Sequence, residues 1–109
     1  MKAIYLERHG PPEVFRERVV EDPELGPRSV KLRVEAAGVN FADLLQRLGL
    51  YGHAPKLPFV PGFEVAGEVI ECGPEVTVFS SGDLVAALIS AGGYSDTVVA
   101  DAVSYTQLT

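Results

Sequence analysis

Residues 30–48 read VKLRVEAAGVNFADLLQRL, and the hydrophobic period changes within them. Val30, Leu32 and Val34 alternate with Lys31, Arg33 and Glu35. Strict period two, with charges on the other side, predicts a half-buried strand. Beyond Gly38 the spacing lengthens. Phe41, Leu44, Leu45 and Leu48 fall at i, i+3, i+4 and i+7, and Asp43, Gln46 and Arg47 fill the other face. That pattern predicts a short helix whose apolar stripe turns to a core. Asn40 is its candidate N-cap and Gly49 its stop.

Working outward, strands dominate. Upstream, Lys2–Glu7 is an apolar run ended by His9-Gly10-Pro11-Pro12, and Val14–Val20 extends before Asp22-Pro23 and Gly26-Pro27. Downstream, residues 52–62 read GHAPKLPFVPG, where three prolines forbid regular structure but stiffen the backbone. Glu64–Cys72, Leu84–Ser90 and Tyr94–Ala100 follow as strand candidates. Gly73-Pro74 and Ser81-Gly82-Asp83 separate the first two, and Gly92-Gly93 predicts a hairpin before the third. Six or seven short strands with one helix make a mostly β barrel or sandwich.

Composition narrows the function. A chain of 109 residues is one domain. Nine Lys and Arg against fifteen Asp and Glu give a net charge of −6, which repels a phosphate backbone and an anionic membrane surface alike. Nucleic acid is therefore not an expected partner. The single Cys72 cannot form an intrachain disulfide or a four-thiolate zinc site. The start MKAIYLERHG lacks the apolar core of a signal peptide, and no run approaches the ~18 apolar residues of a membrane span. A soluble, cytoplasmic protein in a reducing compartment is the expectation.

GVNFADLLQRLGLY (38–51), followed by LPFVPGFEVAGEVIECGPEVTVFSSGDLV (57–85), resembles the N-terminal GroES-like domain of medium-chain dehydrogenases/reductases. Within that superfamily it is most similar to the zinc-independent quinone oxidoreductase branch. The ordered set GVNxxD, GLY, PxxPGxExAGxV and a later GD carries the resemblance, and the opening MKAIYLERHGPPEVF extends it over essentially the whole chain. It implies a mainly β fold: a GroES-like, partly open β-barrel with one short helix. Residues 1–109 would be the N-terminal part of the catalytic domain, a fragment or truncation of a longer oxidoreductase. The family's nucleotide-binding Rossmann domain is not in this chain, and no GxGxxG occurs.

The resemblance also implies a chemistry. Zinc-dependent relatives would carry Cys at Asn40 and His at Phe63; an amide and a phenyl ring replace neither ligand, so no metal is expected. Without a Lewis acid, the resemblance points to hydride transfer from NADPH to a quinone or an α,β-unsaturated carbonyl, the cofactor held mainly by the absent domain. In related reductases the residues matching Asn40 and Tyr51 line the nicotinamide and substrate cleft. Asn40 would orient the nicotinamide or the carbonyl, and Tyr51 or water would supply the proton. A homo-oligomer is a further expectation of this kind.

Plainer readings stand beside these. Asn40 can be a helix cap alone, or a cap and a contact at once. Tyr51 can be a packed loop aromatic. His9 and His53 read as surface histidines, Asp43 as a solvated charge or local ion pair, and Cys72 as a small buried hydrophobe. Gly62, Gly67 and Gly73 read as places of backbone turning and close packing. Two other functions stay open: a non-catalytic interaction module that self-associates through exposed strand edges, and a synaptic-vesicle-type relative with weak or no activity.

Overall fold

β1 (Lys2–Leu6) and β2 (Phe15–Val19) pair antiparallel across a 3-10 turn at Pro12–Val14. The computed structural model describes residues 1–101 and 105–107, the last three by backbone alone. After the hairpin come β3 (Ser29–Ala37), α1 (Phe41–Leu48), β4 (Glu64–Cys72), β5 (Leu84–Leu88), β6 (Thr97–Asp101) and β7 (Tyr105–Gln107). The last five strands form one antiparallel sheet in the order β6-β3-β4-β5-β7. The fold is the expected mainly β one, and among the described residues the sheet does not close into a barrel. No helix of the described residues is long and apolar enough to cross a membrane.

The period-two reading of β3 holds. Val30 and Leu32 are fully buried while Arg33 and Glu35 are exposed. They meet Val65, Val69, Val85, Ala87, Val98 and Ala100 in the main core. The β3–β4 ladder slips by one residue at Glu35, so that Val34 faces Gly67 and Ala36 faces Ala66. This is a β-bulge, and it tips the Arg33 carbonyl over Gly67, where a side chain has no room.

A second, smaller core fixes the proline-rich segment. Leu6, Val14 and Phe59 are buried together, with Phe15, Ala54 and Leu57 against them. Leu6 and Phe59 exchange backbone hydrogen bonds of 2.9 and 3.2 Å. The segment is thus anchored as if it were a strand, despite prolines that bar it from a ladder.

The hairpin expected at Gly92-Gly93 does not form. β5 pairs with β4 and β7, whereas β6 lies beside β3 near the far side of the sheet. The glycines serve a different contact. The Gly92 N–H donates to the Val60 carbonyl at 2.7 Å, Gly93 to Gly62 at 3.2 Å and Tyr94 to Pro61 at 2.9 Å. Gly62 has φ +110, and a Cβ there would stand 2.7 Å from the Gly93 Cα. Two backbones can approach this closely only where side chains are missing. β1 then joins this clamp: Ile4 donates to the Tyr94 carbonyl at 2.8 Å, and Lys2 to the Asp96 carboxylate at 2.8 Å.

α1 keeps its expected bounds and reverses its expected faces. Asp43 and Gln46 are 4% and 1% exposed, whereas Phe41, Leu44 and Leu48 are 73%, 41% and 47% exposed. Asp43 is therefore neither a solvated charge nor a member of a described ion pair. Its carboxylate accepts the Asn40 N–H at 2.8 Å, which ties the third helical residue to the cap and turns that face inward. The apolar stripe is left uncovered by the described residues.

Candidate functional site

The site grows from the turn between β3 and α1. The Gly38 N–H donates to the Glu64 carbonyl at 3.0 Å, and the Glu64 side chain fills the space a Cβ at Gly38 would need. This brings the start of α1 beside the start of β4. Asn40 then takes the extended backbone of an N-cap, φ −111 and ψ 164, half-buried at the helix entrance. The cap is held through the backbone of Asn40, because the Asp43 carboxylate accepts its N–H.

At the other end, Gly49 adopts the left-handed conformation, φ 78, and its N–H donates to the Gln46 carbonyl at 3.1 Å. Leu50 donates to the Leu45 carbonyl at 2.8 Å, closing the last turn. The chain leaves this turn with Tyr51 directed at the start of β4. The Tyr51 ring meets the Phe63 ring edge to face, centroids 5.5 Å apart at 63°, and a second edge contact joins it to His53 at 6.1 Å. Phe63 is fixed in turn: its carbonyl accepts the Ile89 N–H at 2.7 Å, and the glycine clamp holds residue 62 before it.

Asn40 and Tyr51 therefore stand at opposite ends of α1. Each is brought to the β4 entrance by a separate route, Asn40 through Gly38 and Glu64, Tyr51 through Phe63. The arrangement offers a phenol against an aromatic wall and, at the other end of α1, an amide. Such a wall suits a flat conjugated ring, and the phenol can donate a hydrogen bond or a proton to an oxygen gaining charge. Among the described residues no three His, Cys, Asp or Glu side chains gather as a metal would require.

The remaining candidates separate cleanly. His9 and His53 are exposed, the former laid against Gly49 at the end of α1. Cys72 is half-buried at the end of β4, with its Sγ 3.5 Å from the Phe79 carbonyl. Burial first, and the Asp83 carboxylate second, push its thiol pKa up. A thiol so placed stays protonated at neutral pH and is a poor nucleophile. Two features escape the sequence reading. Phe63 matters as the ring that holds Tyr51, and Tyr94, with a phenol beside Asp43, gives no signal in the sequence. Asp43 does give one, since an acid three residues after a cap is the capping-box spacing.

Comparison with known proteins agrees with this architecture. The Alcohol dehydrogenase GroES-like domain family matches residues 26–108. A quinone oxidoreductase of Pseudomonas aeruginosa is 47% identical over 96 residues, covering 87% of this chain and 29% of its own. The crystal structure of the human synaptic vesicle membrane protein VAT-1 homolog-like protein superposes with a TM-score of 0.96 at 32% identity, over 100% of this chain and 35% of its own. The Escherichia coli quinone oxidoreductase, solved in complex with NADPH, gives 0.94 at 30% identity, over 100% of this chain and 33% of its own. The chain thus spans about a third of the length of these relatives. With the matched residues running from the turn before β3 to the end of β7, the chain belongs to the alcohol dehydrogenase GroES-like domain family, in the quinone oxidoreductase branch of the medium-chain dehydrogenases/reductases.

Proposed function

We propose that this chain is the substrate-side domain of a zinc-independent, NADPH-dependent reductase of quinones or α,β-unsaturated carbonyls. The observation that carries the proposal is the Tyr51 phenol held edge-on against Phe63. A hydroxyl is thus carried on an aromatic wall, and the wall itself, Phe63, occupies the position where metal-dependent relatives would place a histidine ligand.

The nicotinamide, when bound, supplies the hydride, and a conjugated carbonyl is electrophilic enough to accept it without a Lewis acid. The residues of this chain do the rest. Phe63 and Tyr51 seat the flat ring, and Asn40 orients the nicotinamide or the substrate carbonyl with its amide. The Tyr51 hydroxyl hydrogen-bonds the substrate oxygen that gains charge, and it or water delivers the proton. The fit to the cofactor is partial. α1 is the single α-helix of the described residues, and its N-terminus already holds the Asp43 carboxylate. It is therefore closed to a pyrophosphate, and the net charge of −6 opposes one as well. Only the nicotinamide end has partners here.

Two measurements test this reading. The longest product of the encoding gene is expected to oxidise NADPH with saturable dependence on a quinone or enone, insensitive to a chelator. Loss of activity in chelator that zinc restores, or no turnover across a panel of quinones, enones and alcohols, would overturn it. Calorimetric titration of NADPH into the 109-residue chain is expected to show no binding in the micromolar range. Micromolar affinity would mean that the pyrophosphate is gripped by this chain after all.

A further inference from the structure

β4 carries three acidic residues, and the sheet treats them differently. Glu68 faces Arg33 of β3 and forms an ion pair with it, and Glu71 faces Lys31, with charged atoms 3.7 Å apart. Opposite charges across a ladder are the ordinary way for a strand to carry carboxylates. Glu64 has no such partner. One step past the last β3–β4 pair, Ala37 and Val65, it meets Gly38, whose N–H donates to the Glu64 carbonyl at 3.0 Å. On its other side it faces Leu88 of β5. Neither a glycine nor a leucine can answer a charge. Among the described residues the half-buried Glu64 carboxylate accepts no hydrogen bond and joins no ion pair. A carboxylate partly withdrawn from water without a partner is costly, and a fold that pairs its two neighbours along β4 keeps this one apart.

The unpaired charge lies where the site is built. Glu64 directly follows Phe63, the ring against which Tyr51 rests. Its side chain lies over Gly38, with Cγ and Cδ each 2.6 Å from the place a Cβ of residue 38 would take. Asn40 enters α1 two residues further on. Of Gly38, Asn40, Tyr51, Phe63 and Glu64, only Glu64 carries a formal charge, and no Lys or Arg belongs to the set. Asp43 stands near, but it is 4% exposed and its carboxylate is engaged by the Asn40 N–H at 2.8 Å.

We propose that Glu64 is a specificity-determining residue, its unpaired carboxylate admitting uncharged quinones or enones and turning away those that bear an anionic group. The aromatic contacts alone cannot make this distinction, because a neutral quinone and its sulfonate present the same flat ring to Tyr51 and Phe63. Glu64 makes it by repulsion, which discriminates between ligands as surely as attraction does. The repulsion is stronger here than in open water, since little solvent stands between a half-buried carboxylate and a charge brought beside it. Glu64 touches no reacting atom in this scheme. The inference rests on the reductase reading for the class of substrate, but the selection by charge is a property of binding and can be measured without turnover.

1,4-Naphthoquinone and its 2-sulfonate share a ring system and differ by one negative charge, which makes them the probes. In the 109-residue chain, followed by NMR at the Tyr51 and Phe63 rings, the neutral quinone is expected to bind roughly tenfold more tightly than the sulfonate. Glu64→Gln keeps the length of the side chain over Gly38 and removes the charge, so it should narrow that ratio roughly fivefold. Glu21→Gln removes the same charge at an exposed position and should leave the ratio within about twofold, because solvent and salt screen it. In the longest encoded product, the ratio of kcat/KM for the two quinones should move in the same direction with Glu64→Gln. A ratio unmoved by Glu64→Gln, or moved equally by Glu21→Gln, would overturn the proposal. So would a sulfonate that binds the parent as tightly as the neutral quinone does, or two rings that respond to neither. Absence of turnover in the parent, beside a binding ratio that responds to Glu64→Gln, instead sinks the reductase reading and leaves the selection by charge standing. Should Glu64→Gln fail to fold, Glu64→Met, uncharged and of similar length, takes its place in both measurements.

Discussion

Gly67→Ala is expected to cost the fold ~3–5 kcal/mol, the range reserved for substitutions with nowhere to go. A Cβ at Gly67 collides with the Arg33 carbonyl oxygen and stands 3.2 Å from the Val34 Cα. The obstacles are backbone atoms of the adjacent strand, so no rotamer change relieves them. Moving β3 away from β4 would open the ladder that carries Val30, Leu32, Val65 and Val69. Against a total stability of ~5–15 kcal/mol, such a loss leaves little in reserve. At ~4–8 °C per kcal/mol for a domain near this size, the melting temperature should fall by at least ~12 °C. Thermal unfolding followed by circular dichroism measures this. Gly52→Ala is the matched control, because nothing lies within 4 Å of a Cβ there, and it should stay within ~0.5 kcal/mol of the parent. A Gly67→Ala chain that melts within ~2 °C of the parent would show that the bulge at Glu35 yields more easily than its geometry implies.

The second large effect concerns turnover. Tyr51→Phe should lower kcat on the best quinone or enone by ~10²–10³, the typical loss when one hydrogen bond to a developing oxyanion is removed. The substitution deletes one hydroxyl and keeps the ring. The edge contacts with Phe63 at 5.5 Å and His53 at 6.1 Å therefore survive, and so should the fold and KM. Asn40→Ala should lower turnover too. Its stability cost should fall below the ~1 kcal/mol usual for a lost cap, because the bond that Asp43 accepts comes from the Asn40 backbone, which alanine retains. Steady-state kinetics on the longest encoded product, paired with melting curves, separates the two effects. Parent-like kcat in both variants would mean that neither side chain touches the reaction.

How far the sequence could be read depended on the range of the interactions. β3 was legible because alternation is local: Leu32 and Arg33 declare their faces by character alone. The ends of α1 were legible for the same reason, Asn40 and Gly49 being cap and stop by their own backbone preferences. The faces of α1 were not. A moment of apolar residues tells which side of a helix is greasy, not which side a fold covers, and here Asp43 is drawn inward by its bond to Asn40. The Gly92-Gly93 reading failed on partner choice. Turn chemistry identifies a place where backbone can bend or be approached, but the partner was Val60–Gly62, some thirty residues upstream. Asn40 and Tyr51 were found through resemblance, and the structure places them at opposite ends of one helix rather than in contact. Tyr94 was invisible because its importance comes wholly from what surrounds it.

The bond from the Lys2 amide to the Asp96 carboxylate spans 94 positions of sequence. For a chain emerging from a ribosome at ~5–20 residues per second, that distance is a waiting time. β1 and β2 can pair as soon as they are made, but one of their docking sites, the Gly92–Asp96 stretch, appears only some seventy or more residues after them. Until then Leu6 and Val14 can settle on Phe59, but Ile4 and Phe15 lack Tyr94 to receive them, while the β3–β4 ladder can already close. The order of assembly should thus run from the middle outward, with the Lys2–Ile4 end of β1 seated late, and slow folding is what so many distant contacts impose. A nascent chain halted before Tyr94 would hold its central strands and keep the hairpin by its Phe59 end alone, with the Lys2–Ile4 end of β1 still open to whatever chaperone waits at the exit.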